Sequence, residues 1–150
     1  MSIGNQFGRP IEILLVDDNP GDVELTRQGL VEGKVSNNLN VVADGVEALR
    51  YLRRKGEYGD ARRPDLVLLD LNMPRMDGRE VLREIRKDEN LRSLPVVVLT
   101  TSAGDEDVLE AYNLNVNCYI SKPVDFERFV HIVRQLNNFW FTIVELPPEP

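Results

Sequence analysis

Apolar residues follow two alternating rhythms along the chain. Ile11–Val16, Leu39–Ala43, Leu66–Leu69, Pro95–Thr100 and Cys118–Ser121 are short, nearly continuous apolar runs bounded by polar or turn residues. A run of that kind reads as a strand, and the four-residue run ending on Asp70 reads as one buried on both faces. Between the runs, apolar positions recur at three- and four-residue spacing, which marks amphipathic helices. The first helical segment follows Asn19-Pro20, turns Val23, Leu25, Thr26 and Leu30 inward, and ends at Gly33. The second follows the Asp44-Gly45 turn, carries Val46, Leu49 and Leu52, and closes near Gly56. The third has Asp77 as its N-cap and presents Val81, Leu82 and Ile85. A fourth runs from about Asp105 to Leu114. The fifth, from Asp125, places Phe126, Phe129, Val130, Val133 and Leu136 on one stripe and leaves His131 off it, in solvent.

Strand then helix, repeated five times, predicts an α/β domain: a parallel sheet with right-handed crossovers, helices on both faces and three layers. Residues 1–10 read as a flexible lead-in, 11–138 as the domain, 139–150 as an aromatic tail, and 56–64 (GEYGDARRP) as a surface loop. All strand carboxyl ends of such a sheet lie on one edge, where open α/β folds place their chemistry. Strand one brings Asp17 and Asp18 there, strand three Asp70, strand four Thr100 and strand five Lys122. Three carboxylates meeting at one edge repel one another unless a cation joins them. Hard oxygen ligands favour magnesium, which takes about six oxygens, and the loop after Asp70 can add the backbone carbonyl of Asn72. Taken singly, each residue has an ordinary explanation: a turn, a helix cap, a solvated lysine. Placement of each at the end of its own strand points to a shared site.

Composition narrows the partners. The hydrophobic share of 42% and charged share of 29% are those of a globular domain. A net charge of −7 gives no general footprint for nucleic acid. One cysteine, Cys118, excludes an internal disulfide and suits a reducing compartment. Neither a signal-peptide pattern nor a spanning apolar run is present, so a cytoplasmic protein without membrane contact is expected.

At this point the chain resembles the receiver domain of two-component response regulators. The likeness runs from about Ile11 to Leu136 and rests on five motifs in order: Asp17-Asp18, Asp70-x-x-x-Pro74, Asp77-Gly78, Thr100 and Lys122-Pro123. The GEYGDARRP loop, the LTTS end of strand four, the NCYISK strand and the tail FWFTIVELP resemble the small response regulators that partner phytochrome-type histidine kinases. The resemblance implies a flavodoxin-like (βα)5 fold with strand order 2-1-3-4-5. It implies Asp70 as phosphoacceptor from a kinase phosphohistidine, with magnesium, or manganese in its stead, held by Asp17, Asp18, Asp70 and the Asn72 carbonyl. It implies Lys122 as counter-cation after a cis Lys122-Pro123 bond, and Thr100 with Tyr119 as a switch that alters the face of the last two helices and fifth strand.

Two rival classes share this architecture. A haloacid dehalogenase-like phosphatase needs a general acid two residues after its nucleophile, where this chain has Asn72. A flavodoxin-like cofactor carrier needs a phosphate loop after strand one, where this chain has two acids. The receiver reading makes the chain no enzyme beyond its own phosphorylation and dephosphorylation. No output domain is expected after residue 136, so signalling leaves through a surface. Phe139, Trp140, Phe141 and Val144 continue past the core stripe, and Phe139 and Phe141 cannot share one helix face with Trp140 and Val144. A homodimer through this tail is therefore expected.

Overall fold

The computed structural model describes residues 10–34, 36–73, 75–100, 114–116, 118–121, 127, 128 and 131. In chain order they form β1 (Ile11–Val16), α1 (Pro20–Glu32), β2 (Asn37–Val42), α2 (Gly45–Leu52), a 3-10 turn (Gly56–Tyr58), β3 (Leu66–Asp70), α3 (Gly78–Lys87), β4 (Val96–Thr100) and β5 (Cys118–Ser121). The five strands make one parallel sheet in the order β2-β1-β3-β4-β5. This is the parallel α/β sheet anticipated from the alternating pattern, in the flavodoxin-like order implied by the family resemblance.

The central strands are apolar at nearly every position because both faces are covered. Leu14, Val16, Val67, Leu69, Val96 and Val98 join the core beneath α2 and α3. Ile13, Leu15, Leu66, Leu68, Val97 and Leu99 form the opposite core with Leu30 of α1. Neighbouring residues divide between the faces with the two-residue period of a strand. Every residue of β1 and β3 is buried.

Boundaries moved where backbone pairing outweighs side-chain pattern. β2 begins at Asn37 and ends at Val42, offset from Leu39–Ala43, because Ile11 pairs with Asn37 and Val16 with Val42. Its asparagines hide it from an apolar search, and an edge strand tolerates them. β4 begins after Pro95, which lacks an N–H, yet the Pro95 carbonyl accepts a hydrogen bond from Val67 at 3.0 Å. α2 stops at Leu52, short of Gly56, because left-handed backbone at Arg54 (φ 54°) and Gly56 (φ 56°) turns the chain. The expected GEYGDARRP loop is docked at its start. Tyr58 lies 5.3 Å from Tyr51, ring centre to ring centre, and its hydroxyl donates to Glu47 Oε2 at 2.7 Å. α1 closes at Gly33 as expected, but Gly33 keeps a right-handed φ of −76° and Lys34 takes the left-handed position at 55°.

Val23 and Leu25 are half-buried, while Thr26 and Leu30 are fully inward. Glu127, Arg128 and His131 are helical and exposed, which agrees with a solvated histidine. Of the fourth helix expected from about Asp105 to Leu114, only Leu114 is among the described residues, and it is buried but not helical. The stripe Phe126, Phe129, Val130, Val133 and Leu136 and the tail lie outside the described residues.

Candidate functional site

β1 and β3 are neighbours, with Val16 opposite Leu69, so Asp17 and Asp70 leave the sheet side by side. One carboxylate oxygen from each of Asp17, Asp18 and Asp70 lies within 4.8 Å of the others. Asp17 and Asp70 are each only 2% exposed, whereas Asp18 faces solvent. Local turns aim the two buried acids. The Asn19 N–H donates to Asp17 Oδ1 at 2.9 Å, and the Asn72 N–H donates to Asp70 Oδ1 at 3.0 Å. Both are Asx-type turns, in which a carboxylate binds the backbone two residues on. Asn19 also caps α1, its Oδ1 accepting from Gly21 N–H at 2.8 Å and Asp22 N–H at 3.2 Å. The turn that starts α1 therefore also orients Asp17.

The loop after Asp70 is closed against its surroundings by close packing. Leu71 is buried, and its N–H donates to the Leu99 carbonyl at 3.3 Å. A Cβ on Gly78 would stand 2.4 Å from the Asp70 carbonyl oxygen and 2.7 Å from Leu71 Cα. Glycine there lets the start of α3 meet the backbone of the proposed acceptor directly. Asp77 caps α3 as expected, accepting from Arg79 N–H at 2.9 Å and Glu80 N–H at 3.2 Å. A contact absent from the sequence reading ties the loop to α2. Arg75, at a left-handed φ of 66°, places Nη1 3.0 Å from Asp44 Oδ2, while Asp44 Oδ1 caps α2 through the Glu47 N–H at 2.9 Å. Asp44-Gly45 signalled only a helix start; its ionic partner lies 31 residues away.

The other predicted residues fall as follows. Thr100 ends β4 one residue beyond the Asp70–Leu99 pairing, and its own register partner is Ser121. Tyr119 lies opposite Val98, is half-buried, and packs against the core on the α2 and α3 side. Lys122, Pro123, Phe139, Trp140, Phe141 and Val144 lie outside the described residues. The donor set fits a small divalent cation: three hard carboxylates from two adjacent strand ends, mutually repulsive without a positive charge. Asn72 stands in the turn that fixes Asp70, at the right place in the chain to add a carbonyl oxygen.

A five-stranded 2-1-3-4-5 sheet with an acidic cluster at its carboxyl edge is the architecture of a signalling receiver, and the chain belongs to that family: the response regulator receiver domain model matches residues 13–134. Membership sets aside the phosphatase and carrier alternatives. Among individual proteins, response regulator Rcp1 of Synechocystis sp. is 42% identical over 145 residues, spanning 97% of this chain and 99% of that protein. The crystal structure of the phosphorylated cyanobacterial phytochrome response regulator RcpA is 46% identical, with a TM-score of 0.74 over 89% of this chain and 96% of that one. The Mn(2+)-bound form of Rcp1 is 42% identical, with a TM-score of 0.73 over 87% and 94% of the two chains.

Proposed function

We propose that this response regulator accepts a phosphoryl group on Asp70 from a phytochrome-type histidine kinase. The observation that carries the reading is the convergence of Asp17, Asp18 and Asp70 within 4.8 Å, with Asp70 oriented by the Asn72 N–H. Similarity to phytochrome response regulators, one of them solved in a phosphorylated state, supports both the reaction and the kind of donor. The Asp70 carboxylate attacks the phosphorus of a phosphohistidine. An O–P bond forms, the N–P bond breaks, and the imidazole nitrogen keeps the electron pair. Magnesium, or manganese, held by Asp17, Asp18, Asp70 and the Asn72 carbonyl would neutralise charge on the phosphoryl oxygens.

The remaining steps belong to the protein. Lys122, directly after β5 in the chain, ion-pairs first with the Asp70 carboxylate and then with the phosphoryl group. Thr100 donates its hydroxyl to a phosphoryl oxygen. Phosphorylation adds roughly 1.5 to 2 negative charges, which draws Thr100 inward and frees space for Tyr119 on the adjacent strand. That movement changes the face around β5, the surface through which a downstream protein reads the state. The aromatic tail, with Phe139, Trp140, Phe141 and Val144, supplies a homodimer contact.

Incubation with acetyl phosphate and magnesium, followed by intact mass spectrometry, tests the assignment. One added phosphoryl group is expected, with none for Asp70→Asn and none when chelator replaces the metal. Label persisting on Asp70→Asn would refute Asp70 as the acceptor.

A further inference from the structure

A second charged feature lies at the opposite end of the sheet from the carboxylates, where α2 and α3 end and β3 and β4 begin. Between residues 50 and 63 the sequence holds six cations (Arg50, Arg53, Arg54, Lys55, Arg62 and Arg63) against two carboxylates, in a chain of net charge −7. Four of the six line an open groove of about 500 Å³. Buried Leu52 and Leu91 form its apolar floor. The left-handed residues Arg54 and Gly56 fold the chain back on itself, so three consecutive cations reach the same groove.

Two of the guanidinium groups are held in place. Arg53 Nη2 lies 3.2 Å from Glu84 Oε1 and its Nε 3.5 Å from Asp88 Oδ2. Arg63 spans the groove, donating from Nη1 to the Asn90 carbonyl and from Nη2 to Ser93 Oγ at 3.3 Å. Asp88, the one acid among the described residues that line the groove, is thereby matched by Arg53. Arg54 and Lys55 are exposed and form no ion pair among the described residues. Fixed arginines bind carboxylates with little further ordering cost, and neighbouring mobile cations add attraction.

We propose that this groove docks an acidic segment of a partner protein, with apolar side chains interspersed among its carboxylates. The leucine floor takes an apolar side chain, the cationic rim takes the acids, and an open groove admits a passing chain. A long polyanion such as nucleic acid would meet the negative remainder of the molecule. Docking here is separate from the chemistry at Asp70, because the two sites occupy opposite ends of the strands.

Fluorescence anisotropy with a dye-labelled peptide alternating glutamate and leucine, titrated with the full chain, tests the proposal. Binding in the micromolar range that weakens as salt rises is expected. Arg54→Gly combined with Lys55→Glu should weaken it about tenfold or more. Glycine readily adopts the left-handed backbone at that position, so this variant keeps its fold, as circular dichroism would verify. Asp70→Asn should bind the peptide as the parent chain does, which keeps this result distinct from that of the phosphorylation test. Equal affinity of the parent and the double variant, or no binding by the parent, would overturn the proposal. So would displacement of the peptide by ATP or by a single-stranded DNA oligonucleotide, either of which would assign the groove to phosphate.

Discussion

Single atoms decide how closely the site can be assembled. Gly78 is the clearest case, since any Cβ would enter the space of the Asp70 carbonyl and Leu71 Cα. Gly78→Ala should lower stability by about 1–3 kcal/mol, the range for forcing an extra methyl into packed structure. A urea titration would measure it, and an unchanged midpoint would mean that α3 can retreat without cost. Tyr58 supplies a titration test. Its hydroxyl bond to Glu47, aided by burial, pushes its pKa up from 10.0 to about 12. The folded state thus favours the neutral phenol. That contribution is complete below pH 10 and is lost as pH rises toward about 12. Tyr58→Phe should lose less stability than the parent over this window, followed by denaturation midpoints at stepped alkaline pH. Identical slopes would show that the Glu47 bond is not the source.

At the scale of elements, Arg86 joins parts that no sequence pattern links. From the last turn of α3 its Nε donates to the Leu114 carbonyl at 2.9 Å, and Nη2 donates to the Asn115 carbonyl at 2.6 Å. Nη1 donates to the carbonyls of Arg92 and Leu94, both at 2.9 Å. One guanidinium therefore ties α3 to the approaches of both β4 and β5. Burial pushes its pKa down, but an arginine stays charged. Arg86→Met should destabilise the fold by about 2–3 kcal/mol, because the carbonyls lose charge-assisted bonds. Arg86→Lys should recover little of this, since a single ammonium cannot reproduce the fork. Thermal unfolding of the two variants would decide, and a lysine variant equal to the parent would contradict the geometric account. No sequence pattern singles out this residue. Its partners are backbone carbonyls, which carry no signature in side-chain type.

For the whole molecule, the sheet divides chemistry from docking: acids at the carboxyl ends of the strands, the cationic groove at their amino ends. No helix among the described residues is long and apolar enough to cross a membrane. Under the proposed homodimer, truncation after Asn138 should halve the mass seen by light scattering. An unchanged mass would place the dimer contact elsewhere or remove the need for one.

Much of this molecule was legible before its fold was known. β1 was placed to the residue, and β3 to the Asp70 that closes its apolar run, because strands covered on both faces are apolar at nearly every position. Buried Glu12, which accepts from Asn38 Nδ2, is the exception within β1, and Asp17, Asp18 and Asp70 stand out at the strand ends. The Asp77 cap was equally readable, since capping is local chemistry between a side chain and the next turn, whereas at Asn19 and Asp44 the sequence marked only where a helix starts and the structure supplied the caps. Folding in three dimensions decided what depends on distance through space. The three carboxylates could be listed from sequence, but only adjacent parallel strands bring their oxygens within 4.8 Å. The Asp44–Arg75 pair, the Arg86 clasp and the groove beside Arg54 each join segments far apart in the chain. An apolar pattern records burial, whereas it records nothing of which polar groups a closed chain will set face to face.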